Sequence, residues 1–404
     1  MQYLFTERAH LMCPNMNFAI AMCINAPLDP EKVMAASDML AKAHPFLNAV
    51  LGYDKENDKY FYKVTMDPKI EVIPSPENIS QIDAPQVMAE HAFLCGYDWE
   101  LFKEGMLKIA CWRMDDKMCV LLVCHHLLTD GRGLLGLARE FADLYVEGKA
   151  PSHAPETLIT AADLPEDSRM PWISRTLVNN ANKNWRKEGK RLSYDDYHRY
   201  AMEFVKNDKI THKVKRIVRP DLSSTLDECR DHSVSLNDLL IARMMLEEHT
   251  DNIIIAIDLR EKLSCYSKGA LGNYATAFSV KVKKKTSDVW ELASAVHNEV
   301  ARKFGNPSDL YLVLQCYANL EPGLLDAAFM SARGAYASKS ANFIGTRFFN
   351  FAESQGFSIT NLGRIENPNI TSAFFIPPAS PAIRKIKGVL SVNGEMMICS
   401  SERE

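Results

Sequence analysis

The sequence has little net charge and no long apolar run, and these two absences exclude broad classes of protein. Its 404 residues include 47 Lys and Arg and 51 Asp and Glu, which gives a formal net charge of -4. Such a balance offers no electrostatic reason to expect a nucleic-acid partner. The apolar runs fall short of the roughly 18 residues that a membrane helix needs, and the N-terminus lacks the basic and apolar regions of a secretion signal. We therefore expect a cytoplasmic protein without a membrane span.

Several chemical motifs are also missing. The 10 cysteines include no C-x-x-C pair. Thiols such as Cys119, Cys124 and Cys399 lie in apolar stretches, as buried free cysteines do in a reducing compartment. No G-x-S-x-G elbow and no P-loop occurs, so serine-nucleophile hydrolysis and nucleoside triphosphate hydrolysis have no sequence support.

The composition and the apolar periodicity indicate a globular chain of mixed helices and strands. Hydrophobic residues make up 47% of the sequence, and the length suits two domains or one domain of two halves. Prolines and small residues concentrate between Lys149 and Pro171, whereas the flanking segments are periodic. We therefore predict an N-terminal half of residues 1–160 and a C-terminal half of residues 161–404, which includes the later part of this crossover linker.

The clearest elements lie in the first three quarters of the chain. A helix over residues 30–43 is predicted with Asp29 as its N-cap and Pro30 at its first position. Apolar and alternating patterns predict strands at residues 17–24, 60–64, 107–113, 118–124, 253–259 and 275–282. Helical spacing predicts further helices at residues 173–190, 235–248 and 287–304.

A pair of histidines follows the strongest strand. The segment from Met118 to Cys124 is apolar on both faces, which is typical of a strand buried inside a sheet. Apolar residues recur at helical spacing after Gly133, so His125 and His126 lie where a central strand ends and a helix begins. Only one of the two can face a given cleft, because alternate strand residues point to opposite faces. Since imidazole titrates near neutral pH, the pair is a candidate for acid–base catalysis.

Other interpretations of the same residues remain open. Two histidines at the end of a strand also occur as packing or surface residues. A divalent metal could take His126 and Asp130, but no second compact cluster supplies further ligands. Cys124 beside His125 could suggest a thiol nucleophile, yet neighbours on a strand point to opposite faces.

The glycines that follow the histidines raise another alternative. Gly131, Gly133 and Gly136 spell G-x-G-x-x-G between a strand and a helix, the spacing of a dinucleotide-binding turn. In that turn the glycines follow the strand directly, whereas here residues 125–130 intervene. A proline-rich linker follows the helix in place of a second strand that ends in an acidic residue. Both departures argue against a dinucleotide site.

The residues His125-His126-Leu127-Leu128-Thr129-Asp130-Gly131 match the H-H-x-x-x-D-G signature of the chloramphenicol acetyltransferase-like superfamily. Within it, the chain most resembles the condensation-domain-like and alcohol acetyltransferase branch. Weaker segments in the family's order extend the resemblance over nearly the whole chain. They are Met16-Asn17, His44-Pro45-Phe46-Leu47, Ser235-Leu236-Asn237-Asp238, Asp258-Leu259-Arg260, Leu271-Gly272-Asn273 and Thr360-Asn361-Leu362-Gly363.

This resemblance implies a fold and a reaction. The implied fold is α/β, with two chloramphenicol acetyltransferase-like halves in a V shape and a central tunnel between them. His126 would lie in the tunnel as the catalytic general base, removing a proton from an acceptor hydroxyl or amine as it attacks an acyl thioester. The thioester would be a co-substrate, either acyl-CoA or a phosphopantetheine-bound acyl group. No covalently bound cofactor and no metal is expected.

The resemblance also implies roles for other residues. His125, Asp130 and Gly131 would be structural, with Arg260 as the candidate ion-pair partner of Asp130. The candidates for the tunnel or the interface between the halves are Asn17, Asn273, Asn361 and Gly363. The D-F-G-W segment of plant acyltransferases is absent, and Thr360 stands where a serine is expected, so the plant branch is disfavoured.

Three functions remain open on the sequence. The leading hypothesis is an acyltransferase that forms an ester or amide from an acyl thioester and a small-molecule alcohol or amine. The first alternative is a free-standing condensation enzyme of nonribosomal peptide synthesis, with carrier proteins as partners. The second is a non-catalytic family member that binds a carrier or another partner.

Overall fold

The computed structural model describes residues 2–67, 69–151, 153, 156–283 and 286–404. The helices are α1 (Arg8–Leu11), α2 (Pro30–Ala43), α3 (Pro85–Cys95), α4 (Gly131–Glu147), α5 (Trp172–Glu188), α6 (Tyr194–Asn207), α7 (Arg219–Asp231), α8 (Leu236–Glu247), α9 (Val289–Phe304), α10 (Pro307–Leu310), α11 (Leu312–Asn319), α12 (Pro322–Ala332) and α13 (Lys339–Arg347). The strands are β1 (Asn17–Ile24), β2 (Ala49–Asp54), β3 (Lys59–Val64), β4 (Glu71–Asn78), β5 (Leu107–Met114), β6 (Lys117–His125), β7 (Ile210–Ile217), β8 (Asn252–Asp258), β9 (Ala275–Lys281), β10 (Gly356–Ile365), β11 (Ile370–Ile376), β12 (Ile383–Val392) and β13 (Glu395–Arg403).

The first of two large sheets carries the histidine pair. Its strand order is β11-β1-β6-β5-β4, and its neighbours are antiparallel except for β4 and β5. β6 is the central strand, and every residue from Met118 to His125 is buried. Helices α3 and α4 pack against β1 and β6. The predicted central strand, buried on both faces, is confirmed.

The second large sheet is built from C-terminal residues. Its strand order is β7-β13-β12-β10-β8-β9, with β10 parallel to both of its neighbours. Helices α8 and α9 pack on each other and on β8 and β9. Apolar residues of these elements form a second core cluster. Other residues of the second sheet, such as Leu390 and Met397, belong to the core around the first sheet.

One strand crosses from the second sheet to the first. β11 lies between β10 and β12 in the chain, yet it pairs with β1, with Ile376 opposite Ala19. Side chains of later helices, including Trp185, Phe329 and Ile344, also enter the core around the first sheet. The core around the first sheet therefore contains residues from both sides of the linker. The division of the chain at residue 160 stays a prediction from the sequence.

Local sequence signals explain the ends of several helices. The predicted helix over residues 30–43 is confirmed as α2, and Asp29 accepts hydrogen bonds from the backbone N–H groups of Glu31 and Lys32. α8 begins with a capping box in which Ser235 and Asp238 each accept a hydrogen bond from the other's backbone N–H, as such a pair does at a helix start. Within the described ranges, no helix combines the length and apolar character needed to cross a membrane.

Candidate active site

Asp130 holds the loop that joins β6 to α4. It is the N-cap residue of α4, and its Oδ1 accepts hydrogen bonds from the backbone N–H groups of Arg132 and Gly133, both at 3.0 Å. Its Oδ2 accepts another from the backbone N–H of Tyr274 at 2.9 Å. The first two satisfy donors that the start of a helix leaves free. The third ties the loop to the segment that precedes β9.

Arg260 completes the environment of Asp130. Its guanidinium donates from Nη2 to Oδ1 at 2.8 Å and from Nη1 to Oδ2 at 3.0 Å. The two side chains are only 10% and 4% exposed. Burial alone would raise the pKa of Asp130, but the charge and hydrogen bonds of Arg260 outweigh it and hold that pKa below its ordinary value. Both carboxylate oxygens are thus occupied by structural partners.

Asn273 orients the second histidine. Its Nδ2 donates to the backbone carbonyl oxygens of His126 at 2.8 Å and Leu127 at 3.3 Å, which fixes the direction of the amide. The Oδ1 of Asn273 therefore faces the Nδ1 of His126, 2.8 Å away. Because this oxygen can only accept, Nδ1 carries the imidazole proton. The lone pair of Nε2 is then left to accept a proton from another group.

A buried carboxylate holds Asn273 in turn. The side chain of Glu7 is fully buried, and its Oε1 accepts hydrogen bonds from the backbone N–H of Asn273 at 3.2 Å and from the hydroxyl of Thr6 at 3.0 Å. Burial raises the pKa of Glu7. The N-terminal segment thus helps to hold the residue that orients His126.

Two aromatic rings border His126. The imidazole of His10, from α1, stacks on it with ring centroids 4.0 Å apart and an interplanar angle of 22°. The ring of Phe18, from β1, lies 5.0 Å away. Burial lowers the pKa of His126 and lowers that of His10 further. His126 is therefore neutral at pH 7, as a proton acceptor must be.

His125 has different surroundings. It is buried, and its Nδ1 accepts a hydrogen bond from the backbone N–H of Leu127 at 3.1 Å. Burial lowers the pKa of His125 to about 3. Burial also raises the pKa of the neighbouring Cys124 thiol, which disfavours the thiolate that nucleophilic catalysis requires.

A cavity between the two large sheets is bordered by His126. Its volume is about 290 Å³, and residues of both sheets line it. Phe18 and Phe375 contribute from the first sheet, whereas Ile257 and Leu362 contribute from the second. Such a mostly apolar wall with a few polar groups is typical of a small-molecule site.

An irregular segment of β10 forms one wall of this cavity. The pairing of β10 with β12 shifts between Asn361 and Arg364. Oδ1 of Asn361 accepts a hydrogen bond from the backbone N–H of Gly363 at 2.8 Å. Gly363 has φ of 83°, a left-handed conformation that favours glycine. Arg132, at the start of α4, donates to the carbonyl oxygen of Leu362, which links the histidine loop to this bulge.

The structure brings most of the residues predicted from the sequence together. His126, Asp130, Gly131, Asn361 and Gly363 line the cavity. Asn273 bonds His126, and Arg260 bonds Asp130. Asn17 lies elsewhere: it pairs with His125 across β1 and β6, on the face opposite to that of His126.

Gly131 lies where the start of α4 approaches both large sheets. Its backbone is not left-handed. A Cβ on Gly131 would lie 2.8 Å from Cδ2 of Leu362 and 3.4 Å from Cζ of Phe375. The missing side chain therefore permits close contact between the start of α4 and the two sheets.

His10 and Glu7 were not predicted from the sequence. Both belong to an N-terminal segment without a motif, and they meet His126 and Asn273 only in the folded chain. From the sequence, Phe18 was predicted only as part of a strand, and Leu362 was noted only within a family-like segment. No local spacing signals these contacts, because each joins residues far apart in the sequence.

Comparison with known proteins extends this description. No protein-family model matches the sequence. A segment of 146 residues, 35% of the chain, is 30% identical to CymA of Salinispora arenicola (strain CNS-205), described as a probable non-canonical nonribosomal peptide synthetase. This match covers 2% of the length of that synthetase.

Two solved structures show the same arrangement of helices and strands. The chain is similar over 98% of its length to 87% of the epimerization domain from the third module of tyrocidine synthetase B, with 15% identity and a TM-score of 0.60. It is similar over 100% of its length to 92% of the condensation domain from the Monacolin K polyketide synthase MokA, with 12% identity and a TM-score of 0.59. The chain therefore has the same overall fold as this epimerization domain and this condensation domain.

Proposed function

We propose that this chain is a transferase that moves an acyl group from a thioester to an amine or hydroxyl acceptor, as condensation domains do, with His126 as the general base. The observation that carries the proposal is the orientation of His126 by Asn273, which directs a proton to Nδ1 and leaves Nε2 as the acceptor. The position of His126 on the wall of a cavity between the sheets supports it.

The proposed reaction needs one proton carrier. The acceptor nitrogen or oxygen attacks the thioester carbonyl, and Nε2 of His126 takes the proton that this attack releases. The carbon–sulfur bond then breaks, and the same nitrogen returns the proton to the departing thiolate. The acyl group passes directly to the acceptor, so no covalent acyl-enzyme forms. The lowered pKa of His126 supports this role, because the free enzyme holds the base form at neutral pH.

A second cavity suggests a route for the substrates. It has a volume of about 560 Å³ and shares Asn361 and Gly363 with the cavity at His126. Arg219, from α7, and Arg364, from β10, also line it. We propose that the two cavities form part of a tunnel between two halves that together form a V. The irregular segment of β10 between Asn361 and Arg364 would be the wall that both cavities share.

A carrier-bound phosphopantetheine thioester is the donor that we favour. The sequence match to a nonribosomal peptide synthetase and the condensation-domain fold support it. The same proton transfer also serves acyl-CoA, whose thioester carries the same pantetheine arm. With the carrier-bound donor, the partner is an acyl or peptidyl carrier protein. With acyl-CoA, the partner is a soluble small molecule.

A donor panel tests this proposal. Purified protein is incubated with acyl groups borne by carrier proteins, by CoA and by free pantetheine, each with amines and alcohols as acceptors. Mass spectrometry follows the product, and a thiol reagent follows release of the pantetheine thiol. We expect product from the carrier-bound donor and little from free pantetheine, since a carrier surface adds binding energy. Product from CoA alone would identify an acyl-CoA transferase instead, and consumption of none of these donors would exclude the transferase.

The role of Asn273 as a positioning residue gives a more specific prediction. In Asn273→Leu the imidazole of His126 loses its partner at Nδ1, so the proton distributes between the two nitrogens. We expect kcat to fall by about 100-fold, within the contribution of a general base, whereas KM changes little. Nitrogen-15 NMR of labelled histidine should show a protonated Nδ1 in the wild type and a mixture in the variant.

Asn17→Leu is the matched control for this experiment. It makes the same change on the opposite face of the first sheet, where Oδ1 of Asn17 has no hydrogen-bond partner among the described residues. The tautomer of His126 should stay as in the wild type. If Asn273→Leu leaves the tautomer unchanged but lowers activity, Asn273 acts through substrate binding or the fold.

A further inference from the structure

A second cluster of histidine and carboxylate side chains lies away from the proposed active site. His44 follows α2, Glu140 belongs to α4, and His153 lies in the linker. Nε2 of His44 is 2.7 Å from Oε2 of Glu140, and Nε2 of His153 is 2.9 Å from its Oε1. The potential ligand atoms of all three residues lie within 4.8 Å of one another.

A further carboxylate fixes the orientation of His44. Oε1 of Glu156 lies 2.8 Å from Nδ1 of His44, and both side chains are only 1% exposed. Oε2 of Glu156 accepts a hydrogen bond from the backbone N–H of Phe46 at 3.0 Å, so the carboxylate cannot turn freely. A carboxylate behind one imidazole nitrogen directs the other toward a bound metal in many metal sites. Here it directs Nε2 of His44 toward Glu140 and His153.

His153 supplies an independent indication of a ligand. Its side chain is 10% exposed, and its Nε2 is a buried atom without a well-aligned hydrogen bond to any part of the chain that the structure describes. Gly269, from the C-terminal half, makes room for this imidazole: a Cβ at Gly269 would overlap its ring. The nearby carboxylate of Glu140 is too poorly aligned to satisfy this nitrogen fully, which is costly for a buried polar atom, and a bound cation would remove that cost.

We propose that His44, Glu140 and His153 bind a divalent cation of the zinc class, through the two Nε2 atoms and the carboxylate, with Glu156 holding His44 in place. Two imidazoles and one carboxylate are typical zinc ligands, and a water can fill the fourth position. The charge of the ion would balance the carboxylates of Glu140 and Glu156. Small movements would bring each ligand atom to about 2 Å from the ion.

This site is separate from the proposed acyl-transfer site. Glu140 follows Gly131 by nine residues of α4, a distance of about 14 Å along the helix at 1.5 Å per residue. The spacing of residues 44, 140 and 153 matches no metal motif, so the sequence alone predicts no metal. The ion would fasten the linker to α2 and α4, and the proposal does not depend on the transferase activity.

Metal binding to the purified full chain tests the proposal. After removal of metal with a chelator, we expect one Zn²⁺ per chain by equilibrium dialysis and elemental analysis, and a higher melting temperature with Zn²⁺ than without. Co²⁺ in place of Zn²⁺ should give the intense visible absorption of a tetrahedral site. Absence of both stoichiometric Zn²⁺ and this absorption would overturn the proposal and leave a metal-free hydrogen-bonded cluster.

Variants locate the ion. His153→Ala removes one ligand from the linker, and Glu140→Gln removes the carboxylate charge. Each should weaken Zn²⁺ binding by at least about 100-fold, since even residues behind the ligands contribute about 10- to 100-fold. His232→Ala removes an exposed histidine that stacks on Trp290 and should bind Zn²⁺ as the wild type does. Equal binding by wild type and His153→Ala would place the ion elsewhere and contradict the proposal.

Discussion

His126→Ala is expected to lower kcat for acyl transfer by about 10²- to 10⁴-fold, the contribution of a positioned general base. The alanine cannot take the proton from the acceptor or return it to the thiolate. The fold should persist, because the loop is held by Asp130 and its backbone partners rather than by the imidazole. The measurement is the rate of product formation by mass spectrometry under saturating donor, with the melting temperature recorded in parallel.

His232→Ala is the matched control, since it removes an exposed imidazole that does not line the cavity at His126. It should retain the rate of the wild type. A His126→Ala protein that transfers acyl groups as fast as the wild type would rule out His126 as the base. The binding-only alternative predicts instead that neither protein forms product.

The second large effect is expected for Asp130. Asp130→Asn keeps an oxygen for the backbone N–H groups of Arg132 and Gly133 but removes the charge that Arg260 faces. Removing one partner of a buried ion pair costs about 3–5 kcal/mol. We expect a loss near 3 kcal/mol in the free energy of unfolding, because Asp258 also lies 3.1 Å from Arg260 and can compensate in part. Urea denaturation measures this difference.

Asp258→Asn provides the comparison for that loss. This carboxylate is 34% exposed, and partly exposed pairs contribute about 1 kcal/mol or less. The folded fraction of Asp130→Asn should retain a kcat within a few-fold of the wild type if Asp130 only holds the loop. A stable but inactive Asp130→Asn protein would indicate instead that the carboxylate takes part in the reaction.

Elements of the fold could be predicted where the sequence carries a strong pattern within the element itself. The helix at residues 30–43 and the strand at 118–124 have strong periodicity and clear ends, and both were predicted. The strand β4 contains two prolines, Pro74 and Pro76, and β7 is mostly polar, so neither shows a strand pattern. The transfer of β11 to the first sheet has no local signal, because it is decided by pairing with β1.

In the candidate site, too, the residues of the local motif could be predicted and the long-range contacts could not. The motif from His125 to Gly131 specifies a strand end, a loop and a helix start, and the resemblance to known acyltransferases suggested Arg260 as the partner of Asp130. The orienting contact of Asn273 with His126 spans 147 residues in sequence. The stacking of His10 and the support from Glu7 depend on the path of the N-terminal segment. Neither His10 nor Glu7 belongs to a sequence motif that could predict these contacts.

The crossing of β11 has a consequence for synthesis of the chain. β1 emerges from the ribosome long before its partner strand β11, which ends at Ile376. Until then one backbone edge of β1 has no strand to pair with, and its apolar residues are open to wrong partners. The first large sheet is therefore complete only after β11 has been synthesised, so a nascent chain stalled before Ile370 would be a substrate for chaperones rather than a folded protein.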